Sequence, residues 1–248
     1  KINRETLKRY SYYLMASRLK PNTISTYMRM LRSIYNRGVD MHQAPYVHGL
    51  FRDVFTGVDT RQKKAIPISE LHMLLNKDPQ SEKLRRTQAI ANLLFQFCGM
   101  PFSDLAHLEK SNLERGLLKY NRTKTGTPMS IEVLESAQNA IGGLYNKSDA
   151  RSSGYPDYLF RILSGAYKRN EEGAYREYQS ALRRFNNELK SLSRKLRLHS
   201  PVTSYTLRHS WATTAKYRGV PIEMISESLG HKSIKTTQIY LKGFELEE

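Results

Sequence analysis

Three stretches of the sequence carry side chains suited to phosphate chemistry: Ser204-Tyr205-Thr206-Leu207-Arg208-His209-Ser210-Trp211, then Leu229-Gly230-His231, then Thr236-Thr237-Gln238-Ile239-Tyr240. A guanidinium binds phosphate through two parallel hydrogen bonds and keeps its charge at any working pH. An imidazole can donate to a phosphate oxygen or take up a proton near neutrality. A tyrosine oxygen, with an ordinary pKa of roughly 10, can attack phosphorus and hold the product as an ester, so that religation needs neither ATP nor a metal. Each residue also has a plainer reading. Tyr240 by itself is one of 16 tyrosines and would be read as a partly buried core residue. His209 is read as structural, and Trp211 as a core anchor. His231, on the turn after Leu229-Gly230, is read as exposed by that turn.

The elements that must position these groups are mainly helical. Residues 3–17 form a first helix capped by Asn3, and 23–37 a second with Ile24, Met28, Leu31 and Tyr35 on one face, stopped by Gly38. Residues 39–57 supply further short helices over the same small core. The basic, aperiodic run 57–66 reads as a linker. Helices follow at 69–76 and 87–98. The period then changes to two over 117–120 and 128–133, a hairpin with the basic tip Asn121-Arg122-Thr123-Lys124-Thr125-Gly126-Thr127. A long amphipathic helix spans 174–198, with Arg183, Arg184, Lys190, Arg194 and Lys195 off its apolar face, as a solvated face or a DNA contact. Three short helices end the chain at 205–218, 221–229 and from 233 onward. The fold class expected is mainly α with one small antiparallel β-sheet.

Composition narrows the partner. With 40 Lys+Arg against 23 Asp+Glu, the net charge is +17, which points to a polyanion, nucleic acid first. No apolar run approaches the length of a membrane span, and no lipidation motif stands at either end. The single cysteine, Cys98, excludes an internal disulfide, and the chain opens on no secretory signal, so a cytoplasmic setting is expected, with the nucleoid as the place of work. A first residue other than Met suggests an excerpt.

The Arg-His pair on a helix, the Leu-Gly-His turn and the tyrosine soon after it resemble, in order and spacing, the tyrosine recombinase (phage integrase) family. Upstream, Thr23-Ile24-Ser25-Thr26-Tyr27 with Leu31 looks like that family's core-binding domain. The wording Gly99-Met100-Pro101-Phe102-Ser103-Asp104-Leu105 is similar to integrases of Bacteroidetes mobile elements. The resemblance implies two domains that grip duplex DNA from opposite sides: a helical, SAM-like core-binding domain over 1–60, a linker over 61–65 and a catalytic domain over 66–248. It implies site-specific cleavage and rejoining of DNA through a 3′-phosphotyrosyl intermediate, for integration and excision of a mobile element, with no cofactor and no metal. Tyr240 would be the nucleophile and Arg208 the phosphate clamp. His231 would donate to the phosphate or help deprotonate the tyrosine. Lys124 would protonate the departing 5′ oxygen, with Arg122 and Lys119 as rivals for that part.

Two positions depart from the family pattern. Pro101 stands where the first catalytic arginine is expected, and Tyr205 where a histidine is common; a tyrosine hydroxyl there still bonds a phosphate oxygen but carries no charge. Arg85 or Arg86, upstream on the helix leading into this motif, would supply the missing guanidinium. Thr26, Arg29, Ser33 and Arg37 are the expected phosphate contacts of the second helix. The partners implied are double-stranded DNA, three further copies in a tetramer on DNA, and accessory DNA-bending proteins. Two other readings share these residues: a type IB topoisomerase, and a DNA-binding protein whose catalysis is impaired. Only the residues from 241 to 248 follow Tyr240, so a tail passed to a neighbouring subunit would be short.

Overall fold

The computed structural model describes residues 2–58, 65–148 and 153–241, without the side chains of Ile239 and Tyr240. It divides into two compact units, Lys1–Arg61 and Gln62–Glu248. Most of the expected linker, and the residues after 241, lie outside the described residues.

In the first unit, Asn3 caps α1 (Arg4–Ala16) by accepting from the backbone N–H of Thr6, which satisfies one of the donors that every helix start leaves open. Pro21 opens α2 (Pro21–Asp40), where its fixed φ suits a first turn and its missing N–H is not needed. Leu7, Leu14, Ile24, Met28, Leu50, Phe51 and Val54 close one small core. Gly38 does not stop α2, which continues to Asp40. Residues 41–57 form turns instead of the expected short helices. The Tyr35 hydroxyl donates to the Pro45 carbonyl at 2.7 Å and accepts from Val47 N–H at 2.8 Å. Those bonds serve the loop backbone in place of a helical ladder, and Leu50, Phe51 and Val54 reach the core without one.

The second unit is mainly helical with one small sheet, as the periodicity implies. Its helices are α3 (Ile68–Asn76), α4 (Glu82–Gln96), α5 (Phe102–Ala106), α6 (Glu135–Leu144), α7 (Glu172–Leu196), α8 (Ser204–Tyr217), α9 (Ile222–Ser228) and α10 (Ile234–Leu241). Three antiparallel strands, β1 (Leu113–Glu114), β2 (Leu117–Asn121) and β3 (Pro128–Glu132), lie in sequence order. Leu118 pairs with Ile131 and Tyr120 with Met129. α4 is the hub, packed against α6, α7 and α8. Its Leu93 and Leu94 are fully buried with Leu74, Leu105, Leu118, Leu189 and Leu207. A smaller cluster of Ala212, Ala215, Ile225, Leu229 and Leu241 ties α8, α9 and α10 together. This second core fixes the helix of Arg208 against the turn of His231 and the helix of Tyr240. Among the described residues, no helix is long and apolar enough to cross a membrane.

Candidate active site

The pocket is built on the start of α8. Thr203 and Thr206 cap it reciprocally: the Thr203 side chain accepts from Thr206 N–H at 3.2 Å, and Thr203 N–H donates to Thr206 Oγ1 at 2.6 Å. Pinning this turn sets the direction of Arg208, whose side chain is almost wholly buried. Its Nη1 donates to the Gly99 carbonyl at 2.9 Å and its Nη2 to the Leu229 carbonyl at 2.6 Å. Nη2 also lies 3.3 Å from His231 Nε2. Gly99 is required here: its φ is +65°, and an added Cβ would stand 3.1 Å from Arg208 Cα and 3.2 Å from Trp211 Cβ. The next residue but one, Pro101, caps α5, so the position where a cation was missed serves as a helix start.

The second guanidinium comes from the hairpin. Leu118 and Tyr120 point inward from β2, and Arg122 continues that alternation past the end of the strand. Arg122 is 6% exposed. Its Nη1 donates to the Leu229 carbonyl, the same oxygen that Arg208 holds. Its Nε stands 2.7 Å from Asp104 Oδ2, an ion pair rather than an aligned hydrogen bond. The Asp104 side chain is 0% exposed, and its Oδ1 accepts from Thr123 N–H at 3.2 Å. Desolvating such a pair offsets much of its attraction, so its effect is to fix one geometry: α5 holds both the arginine and the root of the hairpin tip. Gly230, at φ +63°, permits the approach, since a Cβ there would meet Met129 Sδ at 2.9 Å and Arg122 Cγ at 3.0 Å. Beside this pair, burial and the Asp104 carboxylate push the Tyr120 hydroxyl far above the ordinary phenol range, against the opposing pull of Arg122 and Arg208.

His231 is half-buried on the turn between α9 and α10, with Nδ1 at 2.8 Å from Thr237 Oγ1. Burial, then the charges of Arg208, Arg122 and Lys124, lower its pKa to about 4, so the ring is neutral near pH 7. Lys124 is exposed on the hairpin turn, where Gly126 N–H donates to Arg122 O at 2.8 Å. The structure thus gathers Arg208, His231 and Lys124 with Arg122. Tyr240 has its backbone in α10, and its side chain lies outside the described atoms.

Other expected residues lie elsewhere. Tyr205, in the first turn of α8, is 45% exposed and stands edge-on to buried His209 at 4.4 Å between ring centres. Trp211 packs on the α8–α10 cluster. Arg85 and Arg86 do not enter the Arg208 pocket: Arg85 pairs with Asp78 at 3.0 Å and Glu82 at 3.5 Å, and Arg86 donates to the Arg161 carbonyl. By sequence alone Arg122 stands only as a rival to Lys124, and neither Asp104 nor Thr237 has a part. Strand parity was the available signal for Arg122. In the first unit, Thr26, Arg29, Ser33 and Arg37 are all exposed, and Arg29 Nη2 donates to Thr26 Oγ1 at 3.3 Å.

The model of the phage integrase family matches residues 65–246, and that of the phage integrase SAM-like domain matches 1–46. Tyrosine recombinase XerD of Halalkalibacterium halodurans is 29% identical over 252 residues, covering 96% of this chain and 77% of that protein. Tyrosine recombinase XerA of Thermococcus kodakarensis is 29% identical over 182 residues, covering 72% of this chain and 58% of its own length. Among solved structures, the Tn1549 transposon integrase in complex with a circular intermediate DNA covers all of this chain and 82% of its own, with a TM-score of 0.69 at 15% identity. A lambda integrase tetramer bound to a Holliday junction covers all of this chain and 67% of its own, with a TM-score of 0.67 at 14% identity. The chain belongs to the phage integrase family of tyrosine recombinases.

Proposed function

We propose that this protein is a site-specific DNA recombinase that cleaves and rejoins strands through a 3′-phosphotyrosyl bond to Tyr240, serving integration and excision of a mobile element. The observation that carries the reading is the convergence of two buried guanidiniums, Arg208 and Arg122, on the Leu229 carbonyl, with His231 at 3.3 Å from Arg208. Preorganised cations neutralise the charge that builds on the non-bridging oxygens as phosphorus becomes five-coordinate. Arg122, not Arg85 or Arg86, takes the part of the arginine absent at Pro101. Lys124, at the exposed tip, protonates the leaving 5′ oxygen, and Tyr205 bonds a phosphate oxygen at the rim. The reaction needs no metal and no cofactor.

Duplex DNA is the substrate, with Thr26, Arg29, Ser33 and Arg37 of α2 as phosphate contacts and residues 1–60, 61–65 and 66–248 as core-binding domain, linker and catalytic domain. By analogy with the lambda integrase tetramer, the working form on DNA is four copies, assisted by DNA-bending proteins. The resemblance to integrases of Bacteroidetes mobile elements narrows the kind of element served. A nicked suicide duplex carrying the site should trap a covalent protein–DNA adduct that resists boiling in detergent. Absence of an adduct on every DNA that the protein binds tightly would overturn the reading.

A further inference from the structure

Lys124 sits on the turn that joins β2 to β3, and the chain on both sides of it is tied to the wall of the pocket. On one side, Thr123 N–H donates to Asp104 Oδ1 at 3.2 Å, a bond strengthened by the charge of a carboxylate with no exposed surface. On the other, Thr127 Oγ1 donates to the Gly230 carbonyl in a long bond of 3.4 Å and lies 2.8 Å from Thr125 Oγ1. A hydroxyl has one hydrogen to give. Thr127 gives its own to the carbonyl, which can only accept, so Thr125 donates to Thr127. The two hydroxyls form a chain that ends on the residue before His231. Burial follows the same division: Thr125 and Thr127 are half-buried, whereas Thr123, Lys124 and Gly126 are exposed. The turn itself closes within the hairpin, through Gly126 N–H on Arg122 O at 2.8 Å and Arg122 N–H on Thr127 O at 2.9 Å. The ties to Asp104 and Gly230 fix that closed turn to the wall. The ammonium of Lys124 is near enough for its charge to be among those that keep His231 neutral.

We propose that Thr127 is a positioning residue that, together with the Asp104–Thr123 bond, holds the Lys124 turn in place before DNA arrives, so that the general acid is preset. This rests on the recombinase reading and deepens it. In the step served, the bond from phosphorus to the 5′ oxygen breaks as the phosphotyrosyl bond forms. The 5′ oxygen takes a proton from the Lys124 ammonium, and a neutral amine remains. Religation returns that proton to the amine. A turn freed of its ties offers the acid only for the fraction of time that it stands in place, and the rate falls by that fraction. Each hydrogen bond of this kind shifts such an equilibrium by a factor of about 2 to 10.

The test sets two suicide duplexes side by side, one ordinary and one with sulfur in place of the bridging 5′ oxygen at the scissile phosphate. A thiol ionises near pH 8.5, about where cysteine does and far below an alcohol, so the sulfur leaves without an acid. Lys124→Ala should be slow on the first duplex and close to the wild-type rate on the second; if the sulfur gives it nothing, the acid is misassigned and the proposal falls with it. Thr127→Val, nearly isosteric, should form adduct slower by about 3-fold or more on the ordinary duplex and at the wild-type rate on the sulfur duplex. Thr127→Ser should keep the wild-type rate on both. Equal slowing of Thr127→Val on the two duplexes, or no slowing on either, overturns the proposal. Amide hydrogen exchange in the DNA-free full chain, followed by 15N–1H NMR, reads the ties without cleavage. The Thr123 amide should be protected in wild type and lose protection in Thr127→Val. The amide of Val133, bonded to Gly116 O at 2.8 Å, should stay protected in both as the check on folding. A Thr123 amide unprotected in wild type, or equally protected in Thr127→Val, refutes the ties whether or not the protein cleaves DNA. Intact ties in a wild type that forms no adduct on any DNA overturn the recombinase reading, and the preset acid with it.

Discussion

Replacing Arg122 by lysine keeps a cation opposite Asp104 and removes the planar fork. In the wild-type site, Arg122 sets Nε against Asp104 and Nη1 on the Leu229 carbonyl, and its Nη2 makes no hydrogen bond among the described residues. One donor is thus placed for an incoming phosphate while the other two hold it still. A single ammonium cannot do all three. Loss of one preorganised donor from a phosphoryl transition state costs on the order of 10²–10³ in rate, about 3–4 kcal/mol. Arg122→Lys should therefore form covalent adduct on the order of 10²-fold more slowly than wild type on a nicked suicide duplex at saturating protein. Its stability should fall less than that of Arg122→Ala, which strands a fully buried carboxylate at a cost of about 3–5 kcal/mol. Urea denaturation of the same preparations separates the two effects. An Arg85→Ala/Arg86→Ala double variant should cleave at close to the wild-type rate, because those side chains are engaged with Asp78, Glu82 and Arg161. A folded Arg122→Lys protein cleaving at the wild-type rate, or a double variant that has lost cleavage, would refute the assignment.

Other consequences follow from the same geometry. The pKa of His231 is depressed from 6.5 to about 4, so the unfolded chain binds its proton first. Its contribution to stability is fully present above pH 6.5 and is lost as the pH falls toward 4. The urea midpoint should drop less between about pH 7 and about pH 5 in His231→Gln than in wild type, and equal drops would contradict the burial argument. Gly230→Ala and Gly126→Ala both force a side chain into left-handed backbone, at φ +63° and +68°, each at about 1–2 kcal/mol. Only the first meets Arg122 and Met129, while nothing lies within 4 Å of the second. Adduct assays should find Gly230→Ala slowed and Gly126→Ala near normal; equal rates would undo the link between that turn and Arg122. For DNA binding, Arg29→Ala and Arg37→Ala should each reduce the slope of log affinity against log salt by about 0.9. An unchanged slope in fluorescence anisotropy titrations would remove α2 from the phosphate contacts.

Local signals in the sequence carried the fold a long way. Asn3 caps α1 as its side-chain type implies, the spacing of Phe185, Leu189, Leu192 and Leu196 yields the buried stripe of α7, and period-two alternation marks β2 and β3. Gly38 misled because the cost of one glycine inside a helix, about 1 kcal/mol, is small beside the packing of a long amphipathic helix. The loop after α2 misled because its apolar residues reach the core through turns held by Tyr35. At the site, the Arg-His and Leu-Gly-His motifs, whose Arg208 and His231 stand 3.3 Å apart, were legible because each is short and local. Arg122, Asp104 and Thr237 were not. Their partners lie far away in sequence or across a turn, and nothing in local spacing says that a hairpin arginine meets a carboxylate on α5 or that an α10 threonine meets an imidazole.

The central claim is that Tyr240 carries the DNA. Proteolysis of the trapped adduct, followed by mass spectrometry of the DNA-linked peptide, should locate the link on Tyr240 through a 3′ phosphate, and Tyr240→Phe should bind the same duplex with unchanged affinity and form no adduct. A link mapped to another residue, Tyr205 included, or adduct formation by Tyr240→Phe at the wild-type rate, would contradict it.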